Sequence, residues 1–180
     1  MSGAYASWDP GARGAPRPAI RVRPAESGEL SPLAGVMASR GGTPEDHRPA
    51  AARLLSDAPV LVVAEDTGAA PPEVVGWSGA TQVPLQPEEP ARWLTAGLTV
   101  IPEARRAGIG RLLLHAVGDA VALAGGRPLH SVINARNRAS LALHEACGFR
   151  VLATGPRLAG VEFEGGVGVL LVMDRSLERD

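Results

Sequence analysis

The apolar positions of this chain fall into short runs bounded by Gly, Pro and Asp, plus one long stretch of helical period. The run over 20–23 predicts a short strand. Pro24-Ala25-Glu26-Ser27 leads into a helix around 30–37, and a second helix is expected over 44–55. Residues 60–65 read as a buried strand, 67–72 as a turn and 73–82 as a strand carrying Trp77. A proline-punctuated acidic loop over 84–90 precedes a strand over 92–101. The clearest signal follows: Ile109, Leu112, Leu113, Ala116, Val117, Ala120 and Val121 recur at helical spacing and make one apolar stripe. Gly125-Gly126 supplies the stop, because glycine takes the left-handed conformation after a helix without steric cost. A strand over 129–133, a helix over 139–147 and strands over 149–154 and 166–173 complete the series. Strands first, then alternating strand, helix and strand, predict an α/β fold with a mixed sheet and helices on its faces. Residues 1–18 are rich in Gly, Ala, Ser and Pro without periodicity, and read as a disordered tail before a single domain over 19–180.

Composition narrows the function classes. The 180 residues suffice for one substantial core, and a net charge of −1 offers no field to attract nucleic acid or an anionic membrane. All eighteen basic residues are arginine, which with the abundant Ala, Gly and Pro points to coding bias more than to arginine chemistry. Cys147 is the lone cysteine, so no intramolecular disulfide can form and a reducing, cytoplasmic setting is expected. The first 18 residues lack the charge-flanked apolar core of a signal peptide. The longest apolar runs, 59–64 and 167–173, fall far short of the roughly 20 residues of a membrane span.

Candidate chemistry begins with Arg105-Arg106-Ala107-Gly108-Ile109-Gly110, which joins a predicted strand to the start of the long helix. A helix start leaves backbone N–H groups without intrahelical partners and carries partial positive charge. Small residues let those amides approach phosphate oxygens, and Arg105, Arg106 and Arg111 add permanent charge. A tight turn with surface arginines reads equally well from the loop alone. The third glycine of a dinucleotide fingerprint and the Gly-Lys-Ser/Thr of a Walker loop are both missing.

Leu98-Thr99-Val100-Ile101-Pro102-Glu103-Ala104-Arg105-Arg106-Ala107-Gly108-Ile109-Gly110-Arg111-Leu112-Leu113 resembles the acetyl-CoA motif of the GNAT-type N-acetyltransferase superfamily, Arg/Gln-x-x-Gly-x-Gly/Ala after a Val-x-Pro strand end. Downstream, Asn137-Arg138-Ala139-Ser140-Leu141-Ala142-Leu143-His144-Glu145-Ala146-Cys147-Gly148-Phe149 is similar to that family's Asn-x-x-Ala/Ser-x-x-Leu-Tyr/His-Glu-x-x-Gly-Phe signature. The resemblance implies a mostly antiparallel sheet of six or seven strands with about four helices, splayed between its fourth and fifth strands. It implies acetyl-CoA as co-substrate, no metal, and direct transfer of acetyl to the amine of a small or amino-acid-like acceptor. A non-catalytic acyl-CoA-binding module, a protein N-terminal or lysine acetyltransferase, and a homodimer stay open as alternatives.

The resemblance further implies pantetheine contacts at Leu98, Thr99 and Val100, with a bulge expected at Gly97. It sets the diphosphate on the loop formed by Arg105, Arg106, Ala107, Gly108, Ile109, Gly110 and Arg111. Asn137 and Ser140 are expected near the thiol end, Asn137 reading equally as an N-cap. On the helix, Asn137, Ser140, Leu141 and His144 share one face by spacing, with Ala139, Leu143 and Ala146 toward the core. His144 stands where many members carry the tyrosine that protonates the departing thiolate. An imidazolium can make that donation, though a packed histidine reads from the pattern too. No carboxylate occurs over 93–100, and Val132 stands where one subgroup has a glutamate. His130, Trp77 and Trp93 read more readily as sheet and core residues than as base or acceptor contacts.

Overall fold

A computed structural model describes residues 19–126, 128–163 and 166–174, so the expected tail over 1–18 lies outside the described residues. The elements are β1 (Ile20–Pro24), α1 (Leu30–Ala38), α2 (Pro44–Asp57), β2 (Val60–Asp66), β3 (Glu73–Pro84), β4 (Ala91–Val100), α3 (Ile109–Leu123), β5 (Leu129–Asn134), α4 (Arg138–Ala146), β6 (Arg150–Gly155), β7 (Arg157–Leu158), β8 (Val161–Glu162) and β9 (Gly168–Met173). Seven strands form one sheet in the order β1-β2-β3-β4-β5-β9-β6, and β7 with β8 makes a small separate hairpin absent from the sequence expectation. Every neighbour in the large sheet is antiparallel except β4 and β5, so the expected mixed, mostly antiparallel sheet with four helices is the one observed.

Alternation along the strands sorts side chains to two faces. Val60, Val62 and Ala64 of β2 join Ile109, Leu113, Leu114, Val117 and Val121 of α3 in the larger core. Val63 and Leu61 point the other way, toward Leu33, Ala34 and Val36 of α1, Ala51 of α2 and Trp77 of β3. Each fully buried side chain of this kind contributes about 1.5–3 kcal/mol. The sheet is therefore a partition with α3 on one side and α1 and α2 on the other. The start of α2 is set locally: the Thr43 hydroxyl accepts from the Asp46 N–H, while the Asp46 carboxylate accepts from the Thr43 N–H at 2.8 Å.

The inward face of α3 differs from the expected stripe. Leu112 is 47% exposed, while Leu114 and Gly118 turn to the core. At Gly118 the helix packs close to β9: a Cβ there would come within 2.8 Å of Met173 Cε, so the methionine end would have to shift for any larger residue. The helix does end as expected, with Gly125 at φ +73° and the Gly126 N–H returning to the Val121 carbonyl at 2.9 Å.

Two features open the sheet at its centre. β4 and β5 are paired only at Trp93↔Leu129 and Leu94↔His130; beyond that rung they diverge. In β4 the register against β3 shifts between Gly79↔Gly97 and Ala80↔Thr95, leaving Ala96 unpaired in a bulge. Gly97 sits at φ +141°, and a Cβ on it would lie 2.8 Å from the Trp77 ring, so both backbone angle and packing require glycine. The bulge expected at Gly97 is present.

Candidate active site

The divergence of β4 and β5 makes a cleft of about 820 Å³ that is open to solvent at its mouth. Residues 95–100 of β4 form one wall and 131–134 of β5 the other, with the start of α3 and one face of α4 closing the sides. The β5-facing edge of 95–100 has no strand partner, so its backbone polar groups can serve a ligand.

The loop ahead of α3 lines the cleft in a turned conformation. Arg106 adopts φ +62° and Gly108 φ +82°, and the helix caps on Gly108 with no side-chain bond. The Arg111 and Leu112 N–H groups return to the Gly108 carbonyl, which leaves the Ile109 and Gly110 amides at the helix tip. Gly110 also packs closely on α4: a Cβ would come within 3.0 Å of Leu143 Cδ2, so the leucine would have to give way. Arg105 is anchored by its Nε donating to the Val100 carbonyl at 3.0 Å. Arg105, Arg106 and Arg111 all line the cleft, so backbone amides of a helix start and arginine side chains border the same space, which favours an anion there.

At the far end lies His144, the buried residue of α4 at 3% exposure. Its Nδ1 is 2.8 Å from the Ser140 carbonyl one turn back, and its Nε2 is 3.0 Å from Ser131 Oγ. The ring of Phe149 meets the imidazole edge to face at 4.9 Å. Burial pushes the imidazole below its ordinary pKa, opposed by the bond to Ser140, so the ring is neutral at physiological pH. Asn137 caps the helix, its Oδ1 accepting from the Ser140 N–H at 3.1 Å, and its side chain also borders the cleft.

The cleft thus gathers Leu98, Thr99, Val100, Arg105, Arg106, Gly108, Ile109, Gly110, Arg111, Asn137, Ser140 and His144. Ala107 is exposed and is not among the lining residues. Ala139 and Ala146 were expected in the core and are exposed instead, because the helix turns His144 inward toward Ser131. Sequence reading missed Thr95, Ser131 and Arg40, which also line the cleft. Strand register brings the first two together, and no local motif marks either. His130 faces away from the cleft, buried, with Nδ1 3.2 Å from the Trp93 carbonyl and its pKa lowered chiefly by burial. Trp77 and Trp93 are core residues on opposite faces. Among the described residues no Asp or Glu borders the cleft. Among the described residues no group of three or more His, Cys, Asp or Glu comes together, and no helix is long and apolar enough to cross a membrane.

A mixed sheet parted beside its one parallel pair, with an amide- and arginine-lined mouth and a buried histidine at the other end, defines an α/β enzyme working inside its own sheet. The Acetyltransferase (GNAT) family profile matches residues 33–149, and the chain belongs to that family of acetyltransferases. Solved structures agree on the fold. Ribosomal-protein-alanine N-acetyltransferase from Brucella melitensis superposes with a TM-score of 0.65 at 24% identity, covering 86% of this chain and 99% of that one. The N-acetyltransferase from Staphylococcus aureus Mu50 gives 0.65 at 20% identity, with 86% and 98% covered. The yncA protein of Salmonella typhimurium, solved with its cofactor acetyl-CoA, gives 0.66 at 19% identity, with 90% and 97% covered. A comparison with curated proteins finds no match.

Proposed function

We propose that this chain binds acetyl-CoA in the β4–β5 cleft and transfers the acetyl group directly to a small, amino-acid-like amine. The observation that carries the reading is the continuity of one cleft from the α3 tip to His144. The diphosphate is received by the amides and arginines at 105–111, and the pantetheine arm lies along the unpaired edge of Leu98, Thr99 and Val100. Asn137 and Ser140 stand beside the thioester. The same backbone edge polarises the thioester carbonyl, where charge develops as the amine attacks. His144, at the closed end, is the group that handles the proton.

Charge favours the acceptor class. Arg40 follows α1, on the sheet face opposite α3, and it also lines the cleft. Its guanidinium is exposed and forms no ion pair among the described residues. Among the described residues no carboxylate lines the cleft, so a polycationic acceptor finds no counter-charge from them, whereas an amine that carries a carboxylate finds Arg40. Calorimetry with CoA and acetyl-CoA, followed by thiol release from acetyl-CoA in the presence of amino acids, spermidine and simple alkylamines, tests the proposal. Absence of CoA binding, or of thiol release with every amine, contradicts it.

A further inference from the structure

The hydrogen bonds of His144 continue past Ser131. Ser131 is 2% exposed, and its Oγ lies 2.9 Å from Thr95 Oγ1 on the facing strand. These two residues follow directly on Leu94↔His130, the last rung where β4 and β5 are paired. Their hydroxyls therefore close the apex of the cleft, and both residues line it.

The direction of donation along this chain is fixed by one carbonyl. The Ser140 carbonyl can only accept, so His144 Nδ1 carries the hydrogen. A neutral ring then presents a lone pair at Nε2, and Ser131 donates to it. With its proton so used, Ser131 Oγ accepts from Thr95. Thr95, half-buried at the cleft wall, is left with its own oxygen as an acceptor. We infer that Thr95, Ser131 and His144 form a proton relay that accepts the nitrogen proton of the attacking amine and returns it to the departing sulfur. The inference rests on the transferase reading above and adds to it the missing base.

The step balances. The amine nitrogen forms a bond to the acetyl carbon and the carbon–sulfur bond breaks. The nitrogen proton moves to Thr95 Oγ1 as the Thr95 proton moves to Ser131 Oγ and the Ser131 proton to His144 Nε2. The resulting imidazolium, still bonded to Ser140 through Nδ1, releases its Nε2 proton back along the two hydroxyls to the thiolate. Amide and CoA thiol are formed, and the three side chains recover their starting state. The order reverses the expectation of an imidazolium present at the outset.

Groups facing His144 are consistent with this role. The ring meets Ser131 from β5, the Ser140 carbonyl from α4 and Phe149 from the segment after α4. Among the described residues the charged groups lining the cleft are Arg40, Arg105, Arg106 and Arg111, and it is burial that holds the imidazole neutral. A ring surrounded in this way starts each turnover as a proton acceptor.

The test combines turnover with the imidazole's own spectrum. Thiol release from acetyl-CoA, with the fastest amine of the panel above, is measured from pH 5 to 9 for the native chain, Ser131→Ala, Thr95→Val and Ser131→Thr. Long-range ¹H–¹⁵N spectra give the His144 tautomer in the same proteins, and calorimetry gives CoA affinity. The expected result is a ten- to hundred-fold lower kcat in Ser131→Ala and Thr95→Val, with the acidic limb displaced, CoA affinity unchanged, and most of the rate restored in Ser131→Thr. The native spectrum should show hydrogen on Nδ1 and a bare Nε2. A native rate and pH profile in Ser131→Ala, or hydrogen on Nε2 of the neutral ring, overturns the relay alone. CoA binding without thiol release from the native chain overturns the transferase reading and the relay together.

Discussion

Ser131 Oγ and His144 Nε2 lie 3.0 Å apart, joining the fifth strand to the helix that follows it. The contact is buried and holds the His144 ring in place, while burial itself keeps the imidazole below its ordinary pKa. Replacing His144 by Gln keeps the size and a polar end but removes the titrating nitrogen. The expected outcome is a loss of about 10²–10⁴ in kcat, the usual range for a proton-transfer group, with CoA affinity little changed. The sign of the pH dependence follows from the direction of the shift. A pKa held below its ordinary value keeps the folded ring neutral as pH falls, so the native rate should decline only below about pH 6.5. Unfolded chain binds that proton first, so this residue's contribution favours the folded state above pH 6.5 and is lost as pH falls below it. Rate–pH profiles and melting curves on the native chain and His144→Gln check both.

Gly97 and Trp77 give the second prediction. Gly97→Val places a branched side chain at φ +141° and drives its Cβ into the indole ring. Left-handed backbone and overpacking together destabilise by about 2–4 kcal/mol. Because the bulge shapes the open edge of β4, KM for acetyl-CoA should rise as well. Chemical denaturation and steady-state kinetics read the two effects separately. A variant as stable as the native chain would show that the bulge is not held by these contacts.

Much of the fold was legible because its elements are locally encoded. The long helix, its glycine stop and the Pro44 start of the second helix each rest on neighbouring residues. The rotation of α3 was not. Leu112, Leu113 and Leu114 are consecutive and all apolar, so spacing permits several inward faces, and the face used is set by packing against strands distant in sequence, β9 with Met173 among them. The site divides in the same way. The amide-rich turn at 105–110 and the Asn137 cap are contiguous motifs. Thr95 and Ser131 are 36 residues apart and meet only through strand register. For the same reason α4 was rotated wrongly: Ala139 and Ala146 look like core, while the residue that turns inward is a histidine whose partner lies on another strand.

Arg106 separates charge from backbone. Its φ of +62° is one that Asn tolerates better than most side chains. In Arg106→Asn the turn should persist, with stability changed by less than about 0.5 kcal/mol. The lost guanidinium should raise KM for acetyl-CoA several-fold, and the difference from the native chain should shrink as salt increases, as screening requires. A KM unaffected by the substitution at low salt would remove Arg106 from the diphosphate site.

Acid stability has its own source, remote from the cleft. Arg23 donates to Glu29 at 2.8 Å and to Glu65 at 2.8 Å, tying the segment before α1 to β2. Burial alone would raise the Glu29 carboxyl, but the bonds from Arg23 and the Glu26 N–H more than offset it; Glu65 is lowered chiefly by Arg23. Both folded pKa values thus lie below the unfolded ones. Their contribution is complete above the ordinary carboxylate range, near pH 4.3, and is lost as pH falls through the folded values. Arg23→Leu should melt at lower temperature than the native chain at pH 7, and the gap should narrow toward pH 3. A gap independent of pH would mean that Arg23 acts by packing alone.

Arg40 tests which amine the cleft accepts. It follows α1 on one face of the sheet, whereas Arg105, Arg106 and Arg111 stand at the start of α3 on the other, so under the proposed function one substitution addresses the acceptor without disturbing the co-substrate. Arg40→Gln removes a full charge that has no ion-pair partner among the described residues, so stability should hardly change. An exposed, charge-assisted contact with a carboxylate contributes about 1 kcal/mol or somewhat more, which corresponds to a five- to twenty-fold increase in KM. That increase should appear for amino-acid acceptors and be absent for the matching amino-acid amides, whose carboxylate is replaced by a neutral group. KM for acetyl-CoA should stay put. Equal effects on acids and amides would mean that Arg40 shapes the mouth of the cleft without recognising charge, and the acceptor would then be defined by its amine alone.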